Sequence, residues 1–338
     1  MITIDGSVGE GGGQVLRTSL ALSAHTGQPF GIHSIRKSRS KPGLARQHLT
    51  CVRAATAICG ARVSGAEMRS TELTFHPGAV LPGEYSFAIG TAGSCNLVLQ
   101  TVLPPLMLAS EPSLITLQGG THNDHSPPFH FLQAVFLPLL GRMGPTVELD
   151  LVRWGFFPAG GGEFTASIEP VAALQRLDIV ERGYLRTIRP TAVVSLLPKR
   201  IARRELEVIS DKLRLGRKYG RMVDIKEPQG PGNVVMVEVE SEHITELFTG
   251  FGAKRVRAET VAARVADQVQ HYLDTNVPVG THLADQLLIP MALAGGGRFR
   301  TVCPDAHTPT NASVIQQFLD VPIAVEEEGE GGWVVEVG

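Results

Sequence analysis

GQVLRTSLALSA (residues 13–24), GSCNLVLQTVLPPLMLA (93–109) and GTHLADQLLIPMALA (280–294) share one plan: glycine, a short polar stretch, then an almost wholly apolar helix closing on alanine. A helix that is apolar on most of its faces is a buried one. The continuation repeats as well. A strand-like run (29–35, 113–117, 298–302) leads through a polar loop to an amphipathic helix (44–59, 128–143, 311–319). Two strands then close each unit (62–63 with 72–75, 147–151 with 163–168, 323–326 with 333–337). Self-similarity at a long period points to a repeated architecture. The step from Gly93 to Gly280 is much longer than that from Gly13 to Gly93, and the excess falls at 184–275. That stretch is more charged and has its own pattern: a strand (191–197), a basic helix (201–213), a strand (234–239) and a long helix (256–273). The expected fold is α+β with α/β-type repeats. One large domain (1–183 and 276–338) holds three βαβαββ-like units, and a small inserted α/β domain (184–275) interrupts it.

Glycine makes up 37 of the 338 residues, hydrophobic residues 43% and charged residues 19%, with a formal net charge of −2. The apolar share suffices for a real core, and the charge balance excludes a protein that coats nucleic acid through a global basic excess. No run of 18 apolar residues exists, so a membrane span is not expected, and MITID at the start has no signal-peptide character. The four cysteines (Cys51, Cys59, Cys95, Cys303) form no CxxC pair. They read as buried thiols in a reducing cytoplasm.

The first unit opens DGSVGEGGGQ (5–14), which matches neither GxGxxG nor GxxxxGK[ST]. Glycines ahead of a helix nonetheless expose N–H groups at its positive end, a natural phosphate site. The bland reading is a tight turn. Glu10 among those glycines suits a divalent metal beside phosphate, and Arg17 lies on the first turn of the helix. The loop RKSRSKPG (36–43) brings Arg36, Arg39 and Lys41; paired arginines clamp phosphate oxygens, although a charge run is more often a solvated face. In the second unit, GGTHNDHSPP (119–128) offers His122, Asp124 and His125 at a spacing loose for a metal site. In the third, CPDAHTPTN (303–311) carries His307, with Thr308, Thr310 and Asn311 as N-cap candidates for the last helix. A histidine at a helix N-terminus is held neutral and nucleophilic by the positive end. If the units pack about a pseudo-threefold axis, Arg36, Arg39 and Lys41 converge on His307. Gln100, Asp285 and Gln286, polar residues on apolar helices, should be paired or functional.

GEGGGQVLR (9–17), SIRKSRSKPGLARQH (34–48), GSCNLVLQT (93–101), GFFPAGGG (155–162) and HLADQ (282–286) together resemble the RNA 3′-terminal phosphate cyclase family from end to end. The resemblance implies a three-unit large domain like the C-terminal domain of a translation initiation factor, with a small inserted domain. It implies ATP and a divalent metal (Mg or Mn), and an RNA 3′-phosphate converted to a 2′,3′-cyclic phosphate through adenylyl-histidine and RNA-adenylate intermediates. His307 is then the nucleophile, with Arg39, Arg36 and Arg17 on the phosphates and Glu10 at the metal. Gln14, Gln100, Pro128, His282, Leu283, Ala284, Asp285 and Gln286 are the implied ATP-binding positions. Some relatives carry Tyr where this chain has His282. The implied partner is RNA with a 3′-phosphate end, in the cytoplasm, with no obligatory protein partner. Two rivals remain in view: a non-catalytic, ribosome-biogenesis-type scaffold of the same family, and an enolpyruvyl transferase, which needs no histidine nucleophile.

Overall fold

A computed structural model describes residues 1–216, 220–329 and 332–338. It is a mixed α/β protein with four four-stranded sheets among the described residues. The first sheet contains β1 (Ile2–Asp5), β2 (Phe30–His33), β3 (Arg62–Ser64) and β4 (Leu73–His76), in the order β1-β2-β4-β3. The second contains β5 (Glu84–Ala88), β6 (Ser113–Gly119), β7 (Thr146–Arg153) and β8 (Gly162–Glu169), in the order β5-β6-β8-β7. The third joins β9 (Leu177–Ile179), β14 (Gly297–Thr301), β15 (Ile323–Gly329) and β16 (Gly332–Val337), in the order β9-β14-β16-β15. In each of these sheets the first pair is parallel and the other two pairs are antiparallel.

The chain between β9 and β14 builds the fourth sheet from β10 (Leu185–Ser195), β11 (Arg221–Asp224), β12 (Gly232–Ser241) and β13 (Thr245–Phe251), in the order β11-β10-β12-β13. Helices α6 (Arg200–Lys212) and α7 (Ala258–Asp274) belong to the same stretch and share a separate apolar cluster with that sheet.

Three apolar helices fill the interior: α1 (Gln14–Thr26), α3 (Cys95–Leu106) and α8 (Thr281–Leu293). α1 packs on α3, on α2 (Arg46–Cys59) and on α9 (His307–Phe318), and α8 packs on α9. Val15, Leu16, Leu20 and Leu22 of α1 are essentially inaccessible to solvent, each burial stabilising by about 1.5–3 kcal/mol. α1 ends where Gly27 takes the left-handed conformation and returns its N–H to Ser23 O, a turn that costs glycine no Cβ clash.

The structure corrects several expectations. The helix expected at 128–143 is broken into α4 (Phe129–Phe131), a π-helical stretch (Leu132–Phe136) and α5 (Leu137–Arg142). Pro138 has no N–H for the carbonyl of Ala134 and its ring crowds that carbonyl, which is where a helix must widen or bend. The last helix begins at His307 rather than 311, so Thr308, Thr310 and Asn311 lie buried inside it and cap nothing. β11 and β13 were not anticipated, and Cys303 is exposed while the other three cysteines are buried.

Candidate active site

A cavity of about 820 Å³ opens where α1, α3, α8 and α9 begin, within the range of small-molecule sites. One side of it is polar. α9 places His307 at its first turn, and His307 Nδ1 lies 2.9 Å from Gln14 Oε1. Gln14 Nε2 donates to Asp285 Oδ2 at 2.6 Å. A carboxylate only accepts, so it obliges Gln14 to turn its carbonyl toward the histidine. In the neutral ring this contact puts the proton on Nδ1 and leaves the Nε2 lone pair free.

This row is braced from behind. Asn311 Nδ2 donates to Asp285 O at 2.8 Å, and Thr18 Oγ1 donates to Asn311 Oδ1 at 2.7 Å. Burial raises the Asp285 pKa, against the opposing pull of His307, Arg17 and the Gln14 amide.

The second polar group surrounds the start of α1. Gly13 is its N-cap and offers no side-chain hydrogen bond, and the first turn holds no acidic residue. Three other helices meeting the cavity have protein atoms at their starts. Ser94 Oγ accepts from Leu97 N at the head of α3, Asp305 Oδ1 from His307 N at α9, and Glu246 Oε1 from Gly280 N at α8. Donors stand around Gly13 at the α1 start, while the Glu10 carboxylate lies against Gly12. A Cβ on Gly13 would lie 2.4 Å from His48 Nε2 and 2.6 Å from Arg17 Nη1. His48 is buried, its Nδ1 accepts from Ala45 N at 3.3 Å, and burial beside Arg17 and Arg36 pushes its pKa down to about 3. It is thus a neutral ring with its N–H on Nε2, facing Gly13.

Arg39 is ion-paired with Glu10, whose backbone N–H donates to Thr310 Oγ1 at 3.0 Å. Arg36 spends part of its guanidinium on its own loop, donating to Lys41 O at 3.0 Å and Gly43 O at 2.8 Å.

The opposite wall is apolar: Leu97, Leu103, Phe131, Phe251, Ile289 and Pro290. Gln100 donates to Gln286, which in turn donates to His282 O at 2.9 Å, and His282, Gln286 and Pro128 line the cavity. Leu283 and Ala284 do not: both are buried in the core between α8 and its neighbours. Lys41 is exposed on its loop, and the cavity lining includes Arg36 and Arg39 without it.

His122 is withdrawn from the cavity, hydrogen-bonded to His130 at 2.8 Å and stacked on Trp154. Among the described residues no group of three or more His, Cys, Asp or Glu side chains is placed to hold a metal ion. Sequence reasoning missed the wall from β13 and α7, where Leu247, Thr249 and Gln268 reach the cavity. Nothing local marks those residues, since only tertiary packing brings them here.

A family model described as RNA 3′-terminal phosphate cyclase matches residues 8–325. Proteins of that name from Koribacter versatilis, Pseudomonas fluorescens and Ralstonia nicotianae are 51%, 52% and 49% identical to the chain. The alignments cover 97%, 96% and 98% of this chain and 92%, 94% and 96% of those proteins. The solved enolpyruvyl transferase NikO from Streptomyces tendae aligns with 99% of this chain and 47% of its own length, at 12% identity and a TM-score of 0.37, a likeness too slight to argue from. Half-identical sequence along almost the whole length decides the matter: the chain belongs to the RNA 3′-terminal phosphate cyclase family.

Proposed function

We propose that this protein uses ATP to close an RNA 3′-phosphate into a 2′,3′-cyclic phosphate, with His307 as the nucleophile. The observation that carries the reading is the Asp285–Gln14–His307 row, which leaves Nε2 unprotonated beside a helix start without a cap. In the first step Nε2 attacks the α-phosphorus of ATP; the N–P bond forms, the bond to the bridging oxygen breaks, and pyrophosphate leaves. The adenylylated imidazole is cationic, and its Nδ1–H stays on Gln14, whose alignment by Asp285 offsets that charge. An RNA 3′-phosphate oxygen then displaces His307 from phosphorus, making a phosphoanhydride. The neighbouring 2′-hydroxyl attacks the RNA phosphorus, losing its proton as AMP departs.

Phosphate charge is met by the open N–H groups of α1, by Arg17, and by His48 as a neutral donor. Arg39 exchanges Glu10 for phosphate when the nucleotide arrives, and Arg36 supports it from the same loop. Glu10, a carboxylate beside the α1 start, would hold a divalent ion of the Mg²⁺ or Mn²⁺ kind. When bound, such an ion neutralises charge building on the departing pyrophosphate. The apolar wall with Gln100, Gln286, His282 and Pro128 suits a flat base with a hydrogen-bonding edge.

The three sheets of like order support reading 1–183 and 276–338 as three copies of one unit, with 184–275 inserted. Within that insert Arg204 and Lys199 are paired with Glu259 and Asp224, which favours a solvated rather than RNA-binding face for those two cations. No helix among the described residues is long and apolar enough to cross a membrane.

Incubation with α-labelled ATP and Mg²⁺ tests the reading. The protein should acquire an acid-labile AMP adduct, and His307→Ala should lose it while keeping the wild-type circular dichroism. Normal labelling of His307→Ala removes His307 from the role, and a wild-type protein that never labels favours a non-catalytic scaffold.

A further inference from the structure

One buried carboxylate ties the 184–275 segment to the helix that aligns His307. Glu246 lies on β13, next to Leu247 of the cavity wall, and is 3% exposed. Its Oε1 accepts the N–H of Gly280 at 2.6 Å. Gly280 is the N-cap of α8, in an extended conformation (φ −81°, ψ 168°), and has no side chain with which to cap its own helix. The hydrogen bond thus comes from a distant strand instead of from the helix's own third residue, the usual source of this contact.

The strap between α7 and α8 is fixed at three consecutive positions. Tyr272 Oη donates to Pro278 O at 2.7 Å, Val279 N to Arg300 O at 3.1 Å, and Gly280 N to Glu246. Arg182 secures the end of α7, donating to Tyr272 O at 2.9 Å and to Leu273 O at 3.2 Å, its guanidinium 4.8 Å over the Tyr272 ring. The fit at Gly280 is close: a Cβ there would lie 3.0 Å from Glu246 Oε1. A little over one turn farther on, α8 carries Asp285, which sets Gln14 and through it the Nδ1 proton of His307.

We propose that Glu246 is a positioning residue for adenylylation: by holding the start of α8 from β13 it fixes Asp285, and with it the lone pair of His307. Residues 184–275 thereby enter the first chemical step through one acceptor oxygen, without touching the reacting atoms. The proposal rests on His307 being the nucleophile. Burial pushes the Glu246 carboxyl up to about 8, against the pull of the Gly280 and Leu247 N–H groups, so an uncharged acceptor suffices at neutral pH.

Two variants of similar volume separate the acceptor from the packing. Glu246→Gln keeps an acceptor oxygen and Glu246→Met removes it. At saturating ATP, single-turnover formation of the AMP adduct should slow by roughly 10–100-fold in Glu246→Met, the scale of a small misplacement of a reacting group, and stay near wild type in Glu246→Gln. Ring closure of an RNA supplied with its 3′-phosphate already adenylylated bypasses His307 and should stay within about twofold of wild type in both, since no nucleophile has to be aligned. Equal slowing of both steps in Glu246→Met, a Gln variant as slow as the Met variant, or a Met variant that labels at the wild-type rate each overturns the proposal. A Met variant that fails to fold leaves the Gln variant decisive: loss of labelling there overturns it, and retained labelling with wild-type melting supports it. Failure of the wild-type protein to label is a different result, and strikes the nucleophile instead.

Discussion

The starts of α1 and α8 face the same cavity and are finished in opposite ways. At α8 the N-cap glycine gives its N–H to a buried glutamate. At α1 the N-cap glycine has no partner side chain, and His48 and Arg17 stand around it as further donors. Unfilled N–H groups at a helix start seek an acceptor, so this start favours an anion in the cavity. The difference separates a helix end that holds the scaffold from one kept for a ligand.

Adding one methyl group to each start breaks the comparison most directly. In Gly13→Ala the new carbon falls within 2.4 Å of His48 Nε2 and 2.6 Å of Arg17 Nη1, and the KM for ATP in AMP labelling should rise by roughly 10–100-fold, the value of one or two charge-assisted hydrogen bonds. In Gly280→Ala the carbon meets Glu246 Oε1 at 3.0 Å, and the KM should change only a few-fold, on the order of 0.5–1 kcal/mol. Equal effects at the two positions would erase the distinction.

A smaller effect lies in pH. Burial raises the Asp285 pKa above the ordinary carboxylate range, so as pH falls it takes up a proton earlier than an exposed carboxylate would. Once protonated it no longer compels Gln14 to present its carbonyl to His307. Adenylylation should therefore fall on the acid side more steeply than one protonation allows, and Asp285→Asn should bring the limb back to a single-proton slope at a lower plateau. A wild-type limb already of unit slope would remove Asp285 from the orienting role.

The smallest effect contrasts two buried carboxylates of the 184–275 segment. Glu205 on α6 is fully buried; Asn233 Nδ2 donates to its Oε2 at 2.9 Å, Oε1 has no partner among the described residues, and burial pushes the carboxyl up to about 7. Its folded pKa lies above the unfolded one, so the folded chain binds more protons between about 4.5 and 7 and stability declines as pH rises through that window. The decline is on the order of 3 kcal/mol at most. Glu205→Gln should make the decline shallower in thermal melts taken from pH 5 to pH 8, with the share of Glu246 remaining and labelling unchanged. Loss of labelling would mean that Glu205, like Glu246, reaches the site.

The three interior helices and most of their strands were legible because apolar periodicity is a local property. His307, Glu10 and Arg39 stood out as polar residues beside glycine turns or in the polar loops, whereas Gln14 came only with the family resemblance. The α9 start was misread: Thr308, Thr310 and Asn311 all have cap chemistry, but Thr310 and Asn311 are consumed by contacts with Glu10, Asp285 and Thr18 across the cavity, and Thr308 is buried inside the helix. β11 was too short and too exposed to show alternation. The caps at α8 and the wall from β13 join residues far apart in sequence, and no local pattern records that.

The parallel pairing of β9 with β14, Ile179 opposite Phe299, also sets an order of assembly. As the chain is synthesised from its N-terminus, the first two sheets complete themselves from strands up to β8, while β9 waits with an open edge until everything from β10 to α8 has been made. Contacts so distant in sequence close late. Arg17, Arg36, Arg39 and the start of α1 are synthesised first and His307 last, so the residues proposed to bind phosphate wait for the proposed nucleophile.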